Sequence, residues 1–229
     1  MLEVNGISYV QDRTKAEQFA KTYKAFSKLP KRKVDWEVKK NIWDRLKTRT
    51  QSAPLQESEQ DISLEEMNRA IAAAGNRKAS GDDDIPYEFI KNLGPVAREF
   101  LLHIYRKWWR GDGIPSKWTS AVIKTLLKDG KDPKQTTSYR PISLTACLGK
   151  ILERIVADRL VYILESRKML SQNQAGFRQG RCTTDQVLKL VQDATDNVHA
   201  PKAERHRTMV CFFDYAKAYD NIWRDGLII

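Results

Sequence analysis

The chain has 229 residues, 41% of them hydrophobic, which suffices to bury a core and excludes a wholly disordered protein. Forty Lys and Arg against 29 Asp and Glu give a formal charge of +11, which favours a polyanionic partner, most commonly nucleic acid. Charge alone leaves a merely basic globular protein as an equal alternative.

Cysteine spacing and hydropathy indicate neither a zinc site, nor a disulfide framework, nor a membrane segment. Cys147, Cys182 and Cys211 lie far apart without a CxxC pair, and the three histidines add no ligand spacing. The N-terminus lacks a secretory signal, and no apolar run reaches the roughly 18 to 20 residues of a bilayer span. We therefore expect an intracellular protein in the cytoplasm, the nucleus or both.

Residues 1–61 are predicted to be a basic, helical, linker-like region. Residues 1–50 hold 13 Lys and Arg against 6 acids, with aromatic residues interleaved, and Pro30 divides them into two short helices. Such a pattern suits phosphate contacts and base stacking, but solvated helices whose aromatic residues pack inwards produce it more often. The composition turns acidic after Gln51–Pro54, which marks the first boundary.

Helical signals follow the boundary. Ser63 and Glu66 fit a capping box, with Ile62 positioned to staple onto Met67, and this helix is expected to stop near Gly75. Helical spacing returns from Pro86 to about Arg110 with an interruption at Gly94-Pro95, and Trp108 and Trp109 are assigned to the core and its rim.

The middle of the chain predicts a β-hairpin. Thr119–Lys128 reads as a strand with Val122, Lys124, Leu126 and Lys128 on one face. A turn-rich segment leads to a second extended run, Tyr139–Leu144, so basic side chains lie on both arms.

The last third predicts two helices and a strand. Leu148–Leu164 has amphipathic spacing, a loop spans Gln174–Arg181, and a helix passes through Val187–Val191 before the polar surface run Asp196–Arg207. Thr208–Phe213 is apolar and suits a strand buried on both faces.

Asp214 directly follows that apolar run. Burying a carboxylate at the end of a strand costs free energy unless an opposite charge or hydrogen bonds stabilise it. In phosphoryl-transfer sites a divalent metal ion commonly provides that opposite charge. On local grounds alone, capping of a helix through residues 216–218 explains Asp214 equally well.

Seven ordered segments together resemble the successive motifs of reverse transcriptases of non-LTR retrotransposons (LINE or Jockey-like), from about residue 62 to the C-terminus. They are Lys78–Pro86, Pro115–Trp118, Lys128–Pro133, Ser138–Leu144, Lys150–Glu153, Gln174–Arg178 and Phe213–Asp220.

The resemblance implies an α+β fold: a truncated right-hand polymerase with helix-rich fingers and a β-hairpin (about 62–207), then the first palm strand (208–229). It implies RNA-directed DNA polymerase activity, present here as a truncated copy. A non-catalytic nucleic-acid-binding fragment is the alternative, and an unstable product that aggregates through its unpaired strand is a third possibility.

The resemblance also implies site residues. Asp214 is the first metal-binding carboxylate, with the main-chain carbonyl of Tyr215 as a further ligand. Tyr219 is the steric gate that excludes a ribose 2′-hydroxyl. Lys128 and Arg140 hold the incoming deoxynucleoside triphosphate, in keeping with the two basic arms.

Gln174, Gly176, Phe177 and Arg178 match a family loop near the template strand. The implied partners are an RNA template, a DNA primer and deoxynucleoside triphosphates, and the implied cofactor is Mg²⁺, with Mn²⁺ as a substitute. A primer 3′-hydroxyl would attack the α-phosphate while two metal ions stabilise the attacking and leaving oxygens.

Two departures from the family pattern stand out. Gly81-Asp82-Asp83-Asp84-Ile85 replaces the usual Gly-Pro-Asp-Gly-Ile, and a solvated turn before a helix near Pro86 is preferred over a metal site for these acids. The chain also contains no Tyr/Phe-x-Asp-Asp motif to complete the metal site. We therefore expect no primer extension by this chain alone.

Overall fold

The computed structural model describes residues 1–26, 37–38, 40–41, 44, 60–206, 208–215 and 222. This part of the chain contains helices and two antiparallel two-stranded sheets, which confirms the expected α+β class. Its described residues divide into two compact units, one within residues 1–157 and the other within residues 158–215.

The elements follow one another in a simple order. They are β1 (Leu2–Val4), β2 (Ile7–Tyr9), α1 (Asp12–Phe26), α2 (Leu64–Ala72), α3 (Tyr87–Lys91), α4 (Pro95–Trp109), α5 (Ser116–Thr119), β3 (Ala121–Leu127), a 3₁₀ turn (Thr136–Ser138), β4 (Tyr139–Thr145), α6 (Cys147–Ser166) and α7 (Thr183–His199).

The N-terminal hairpin β1–β2 was not expected. Its turn has positive φ at Asn5 (+52°) and Gly6 (+78°), the combination that a two-residue type I′ turn requires. The Asn-Gly pair between two short apolar runs was the sequence signal for it. The first expected helix is confirmed as α1, and the few described residues of the second, 37–38, 40–41 and 44, are helical.

The N-terminal elements pack against the tip of the second hairpin. The Phe19 ring meets Tyr139 edge-on at 5.0 Å, and the Thr22 hydroxyl lies 3.2 Å from that of Thr136. The Glu3 amide donates to the Lys134 carbonyl at 2.7 Å. Residues 1–26 are thus held by the hairpin.

Helix α2 begins with the expected capping box. The Ser63 hydroxyl accepts from the Glu66 amide at 3.1 Å, and a Glu66 carboxylate oxygen accepts from the Ser63 amide at 2.8 Å. Ile62 and Met67 are fully buried beside this cap, as the staple predicts. The helix ends at Ala72, slightly before the expected stop near Gly75.

One hydrophobic core joins the helices of the first unit. The interruption at Gly94-Pro95 is confirmed, because Pro95 starts α4 at a position where its missing N–H costs nothing. The buried members of the core are Ile62, Met67, Ala70, Ile71, Ile90, Leu101, Leu102, Tyr105, Cys147, Ile151, Leu152 and Ile155.

Aromatic rings fill the margin of this core. Trp108 packs edge-on against Trp118 at 4.1 Å, and Tyr105 contacts both rings. The fully buried Tyr105 hydroxyl donates to the Leu148 carbonyl at 2.8 Å. The assignment of Trp108 and Trp109 to the core margin is confirmed, since both pack against the buried cluster.

The second half of the chain follows the prediction in its helices. The amphipathic stretch forms the 20-residue α6, and the later helix forms α7, which extends to His199 into the run expected to be irregular. Within the described ranges no helix is long and apolar enough to cross a bilayer.

The predicted buried strand Thr208–Phe213 is not formed. Residues 208–215 have no regular secondary structure, and Met209, Phe212 and Phe213 are 87%, 87% and 90% exposed. An extended apolar run becomes a buried strand only when neighbours pair its backbone and cover its faces. No other described segment does this, because β3 and β4 pair with each other and β1 pairs with β2.

Candidate functional site

The hairpin β3–β4 brings its basic side chains to one face. Leu126 lies opposite Arg140, and the Lys128 amide donates to the Ser138 carbonyl, which extends the register by one pair. Residues directly opposite one another in an antiparallel pair point to the same side, and so do alternate residues of one strand. Lys128 and Arg140 are therefore diagonal neighbours on one face.

Lys124 joins Lys128 and Arg140 on this face, which we call the hairpin cation face. Lys124 and Arg140 are exposed, and Lys128 is half-buried with its ammonium 2.9 Å from the Thr137 carbonyl. None of the three has a carboxylate within ion-pair distance among the described residues. The face thus presents three cations that an external anion can approach.

The loop Gln174–Arg178 contains a tight turn. The Arg178 amide donates to the Ala175 carbonyl at 3.4 Å, and Phe177 occupies the third position of the turn with φ +60°. This left-handed position favours glycine and costs a bulky side chain about 1 to 2 kcal/mol. The strained residue is therefore Phe177 and not Gly176, and its ring is 97% exposed.

Arg178 anchors this loop. Its guanidinium donates to both Glu165 carboxylate oxygens at 2.6 and 2.7 Å, and to the Ser171 and Gln174 carbonyls. The Arg178 side chain is only 9% exposed. The hydrogen bonds from Arg178 hold the pKa of Glu165 below its usual value. Arg178 thus fixes the loop, while Gln174, Gly176 and Phe177 remain exposed.

Asp214 and Tyr215 lie in the irregular segment 208–215. Both are exposed, with Tyr215 83% exposed. Tyr219 and the helix proposed for residues 216–218 lie outside the described residues. Among the described residues, no three His, Cys, Asp or Glu side chains are grouped closely enough to hold a metal ion.

A Mg²⁺ site does not fit the described residues alone. Mg²⁺ demands near-octahedral oxygen ligation, and one carboxylate with one main-chain carbonyl supplies too few protein ligands to fix it. Asp214 can contribute one ligand, so a complete metal site requires carboxylates from beyond the described residues.

The acidic run forms a turn, as expected. The Asp84 amide donates to the Gly81 carbonyl at 3.3 Å, and Asp84 has φ +52°. A Cβ on Gly81 would lie 2.6 Å from backbone atoms of Thr145 and Ala146. This geometry explains why the family's pattern has glycine at the positions of Gly81 and Asp84 and proline at the first central position.

Glu165 is the site residue that sequence reasoning missed. It lies 13 positions before Arg178 on a helix whose solvated face predicted only local ion pairs. No spacing rule links the two residues, so the sequence carried no signal for this contact.

Comparison with known proteins defines the class. Residues 131–229 match the family described as "Reverse transcriptase (RNA-dependent DNA polymerase)". The matched range contains Arg140, the loop 174–178 and Asp214, whereas Lys128 precedes it.

Three relatives illustrate the similarity. The chain is 35% identical over 167 residues to "Probable RNA-directed DNA polymerase from transposon BS" of Drosophila melanogaster, covering 73% of the chain and 18% of that protein. It is 32% identical to the RNA-directed DNA polymerase from mobile element jockey of the same fly, with the same coverage. The Pol polyprotein of the R1 element of Bradysia coprophila is 29% identical over 190 residues, covering 81% of the chain and 17% of that protein.

The expected resemblance to reverse transcriptases of non-LTR retrotransposons is therefore confirmed. The chain spans less than a fifth of the length of these curated relatives.

Proposed function

We propose that this chain supplies the fingers and the start of the palm of an RNA-directed DNA polymerase of a non-LTR retrotransposon. Residues 62–207 would form the fingers of a right-hand polymerase, 208–229 the start of the palm, and 1–61 a basic region that precedes them. The observation that carries the proposal is the hairpin cation face, which combines three cations that form no ion pair with any described residue, in a family that polymerises nucleotides.

Lys128 and Arg140 would hold the triphosphate of the incoming deoxynucleotide. Arg140 can grip a phosphate bidentately, and Lys128 adds a point charge fixed by the Thr137 carbonyl. Lys124 would extend the same positive field. Tyr219 would act as the steric gate against ribonucleotides.

The loop Gln174–Arg178 would contact the template. An exposed aromatic ring gains roughly 1 to 3 kcal/mol by stacking on a base. The strain at Phe177 favours this role, since strained backbone persists where the surrounding structure imposes it, commonly at functional sites. Arg178 and Glu165 would act as positioning residues that keep the ring presented.

Asp214 and the carbonyl of Tyr215 would be two ligands of the catalytic Mg²⁺, with Mn²⁺ as a substitute. The bound metal ions would stabilise the attacking and leaving oxygens during transfer to a primer 3′-hydroxyl. The remaining ligands would come from outside the described residues.

Lysine protection tests the nucleotide assignment. The chain, bound to an RNA template and DNA primer, is treated with an amine-reactive ester with and without a saturating deoxynucleoside triphosphate, and labelling is read by mass spectrometry. We expect the nucleotide to protect Lys128 but not the exposed Lys117, and Arg140→Ala to weaken that protection. Equal labelling of Lys128 with and without nucleotide would overturn the assignment.

A second candidate is nucleic-acid binding without catalysis, favoured by the single carboxylate in segment 208–215. Primer extension on an RNA template with Mg²⁺ tests this second candidate. We expect this chain to bind primer and template without extending them. Extension that Asp214→Ala abolishes would remove the second candidate and show that the chain carries a complete site.

A further inference from the structure

A basic pocket lies in the first unit, away from the hairpin cation face in sequence. It has a volume of about 290 Å³ and opens to solvent between the end of α2 and the first turns of α6. Its lining residues are Ala70, Ala73, Ala74, Gly75, Lys78, Tyr87, Lys150, Ile151 and Arg154. Three of the nine carry a positive charge and none carries a negative one.

Two elements bring the three cations together. Lys150 and Arg154 are one turn apart on α6, so they share a face of that helix. Lys78 comes from the segment after α2 and folds back over Gly75, where an added Cβ would lie 3.1 Å from the Lys78 Cε. The alanines at the end of α2 leave the space between them open.

The pocket cations have no ion-pair partner in the part of the chain that the structure describes. Among the described residues, none of Lys78, Lys150 and Arg154 has a carboxylate within ion-pair distance. Other arginines of this unit behave differently. Arg98 donates to Asn68 and to two carbonyls, and Arg110 pairs with Asp61.

Acidic groups lie near the pocket, but none of them belongs to its lining. Glu153 lies close enough to raise the pKa of Tyr87, although burial is the larger cause, and Arg154 lowers it. Asp83 and Glu88 lie close to Cys147, but one Asp83 carboxylate oxygen accepts from the Ile85 amide and one Glu88 carboxylate oxygen accepts from the Arg77 amide. Three carboxylates therefore lie near the three cations, but none forms an ion pair with them within the described part of the chain.

We propose that the pocket of Lys78, Lys150 and Arg154 binds a backbone phosphate of a single-stranded RNA, and so forms a second anchor for the strand that the fingers hold. The inference rests on the proposed function for the nature of the strand. Lys78 and Arg154 are exposed at the rim and Lys150 is half-buried, an arrangement that lets a passing strand seat one phosphate from the open side. The chain's charge of +11 favours such a polyanion.

Salt-dependent binding tests the pocket. A fluorescent single-stranded RNA is titrated with the 229-residue chain at several salt concentrations, for wild type, for Lys150→Gln with Arg154→Gln, and for Lys107→Gln with Lys117→Gln. Both double variants lose two positive charges, but Lys107 and Lys117 lie outside the pocket. Each lost phosphate contact reduces the slope of log affinity against log salt by about 0.7 for a single strand.

Because the pocket seats one phosphate, we expect the slope to fall by about 0.7 in the pocket variant and by less than half as much in the control pair. Lys78→Gln alone changes only an exposed side chain and should lower the slope by about 0.7 without affecting the fold. Equal slopes in pocket and control variants would overturn the proposal.

A second arm identifies the source of the phosphate. Thermal stability is measured with inorganic pyrophosphate in place of RNA. If pyrophosphate stabilises the wild type but not the pocket variants, while the RNA slopes stay equal, the pocket takes a free phosphate compound and the strand assignment is overturned. Failure of the wild type to bind RNA even at low salt would instead refute the proposed function.

Discussion

Large apolar side chains occur both in the helical core of the first unit and in segment 208–215, but they are buried in the core and exposed in the segment. Ile62, Met67 and Tyr105 are fully buried. Apolar residues that recur every three or four positions form one face of a helix, and the apolar faces of neighbouring helices cover one another. Phe212 and Phe213 are about as apolar and almost fully exposed. An amphipathic helix satisfies its own backbone, whereas a strand depends on neighbours from elsewhere in the protein.

The largest effect should come from emptying the core. Ile151→Ala removes a side chain that is 1% exposed, and cavity formation in such a site costs about 2 to 5 kcal/mol of unfolding free energy. Val156→Ala on the same helix is the control, since Val156 is 38% exposed and should cost clearly less. Urea unfolding measures both, and equal losses would show that α6 is not packed as described.

The next largest effect concerns the contact of Gly81 with the chain between β4 and α6. Gly81→Ala forces a Cβ to within 2.6 Å of backbone atoms and should cost about 1 to 3 kcal/mol. Gly149→Ala is the matched control, because its Cβ would meet Trp118 at an ordinary 3.5 Å. A helical Gly→Ala change there should gain up to about 1 kcal/mol. Equal effects at both glycines, seen by thermal unfolding, would contradict this contact.

Tyr105→Phe should remove about 1 kcal/mol through loss of the hydrogen bond to Leu148. Burial, with a smaller contribution from Tyr87, raises the pKa of Tyr105 far above its usual value near 10. The unfolded state therefore ionises first as pH rises above about 10, and stability falls with pH in that range. Unfolding at pH 9 to 11 should show a shallower fall in the variant, and an unchanged fall would indicate that Tyr105 is solvated.

Asp84→Gly should stabilise the protein by about 0.5 to 1 kcal/mol, because glycine adopts the φ of +52° without steric cost. Asp82→Gly provides the control at a position with no positive φ, where added flexibility should destabilise. Thermal unfolding distinguishes the two variants. A loss of stability in Asp84→Gly would show that the Asp84 side chain itself stabilises the turn.

The smallest effect is expected in segment 208–215. Phe213→Ala should change the unfolding free energy by less than about 0.5 kcal/mol, since the ring is 90% exposed. The comparison with Ile151→Ala sets the scale. A loss of several kcal/mol at Phe213 would mean that the segment is packed in solution and that the contrast with the core is wrong.

Local chemistry made much of the fold predictable. The capping box at Ser63, the break at Pro95 and the existence of the β3–β4 hairpin follow from adjacent residues or from short periods. The two basic arms were correctly expected, with Lys128 directly after β3 and Arg140 on β4.

The failures involve long-range information. The strand at 208–213 was assigned from its apolar run, but strand formation depends on residues that the run does not contain. The Glu165–Arg178 ion pair depends on how the end of α6 packs against the loop Gln174–Arg178. The periodicity of the sequence does not predict that contact. The N-terminal hairpin is the one failure that did not require long-range information, because its Asn-Gly turn is a local signal in the sequence.

Photochemical crosslinking tests the central claim, that the loop of Phe177 and the hairpin cation face contact template and nucleotide. An RNA template carrying 4-thiouridine, annealed to a DNA primer, is irradiated with the chain, and crosslinked peptides are mapped by mass spectrometry. We predict adducts on Phe177 that disappear in Phe177→Ala while those on neighbouring residues of the loop persist. Adducts confined to residues outside the loop and the hairpin, with RNA demonstrably bound, would contradict the account.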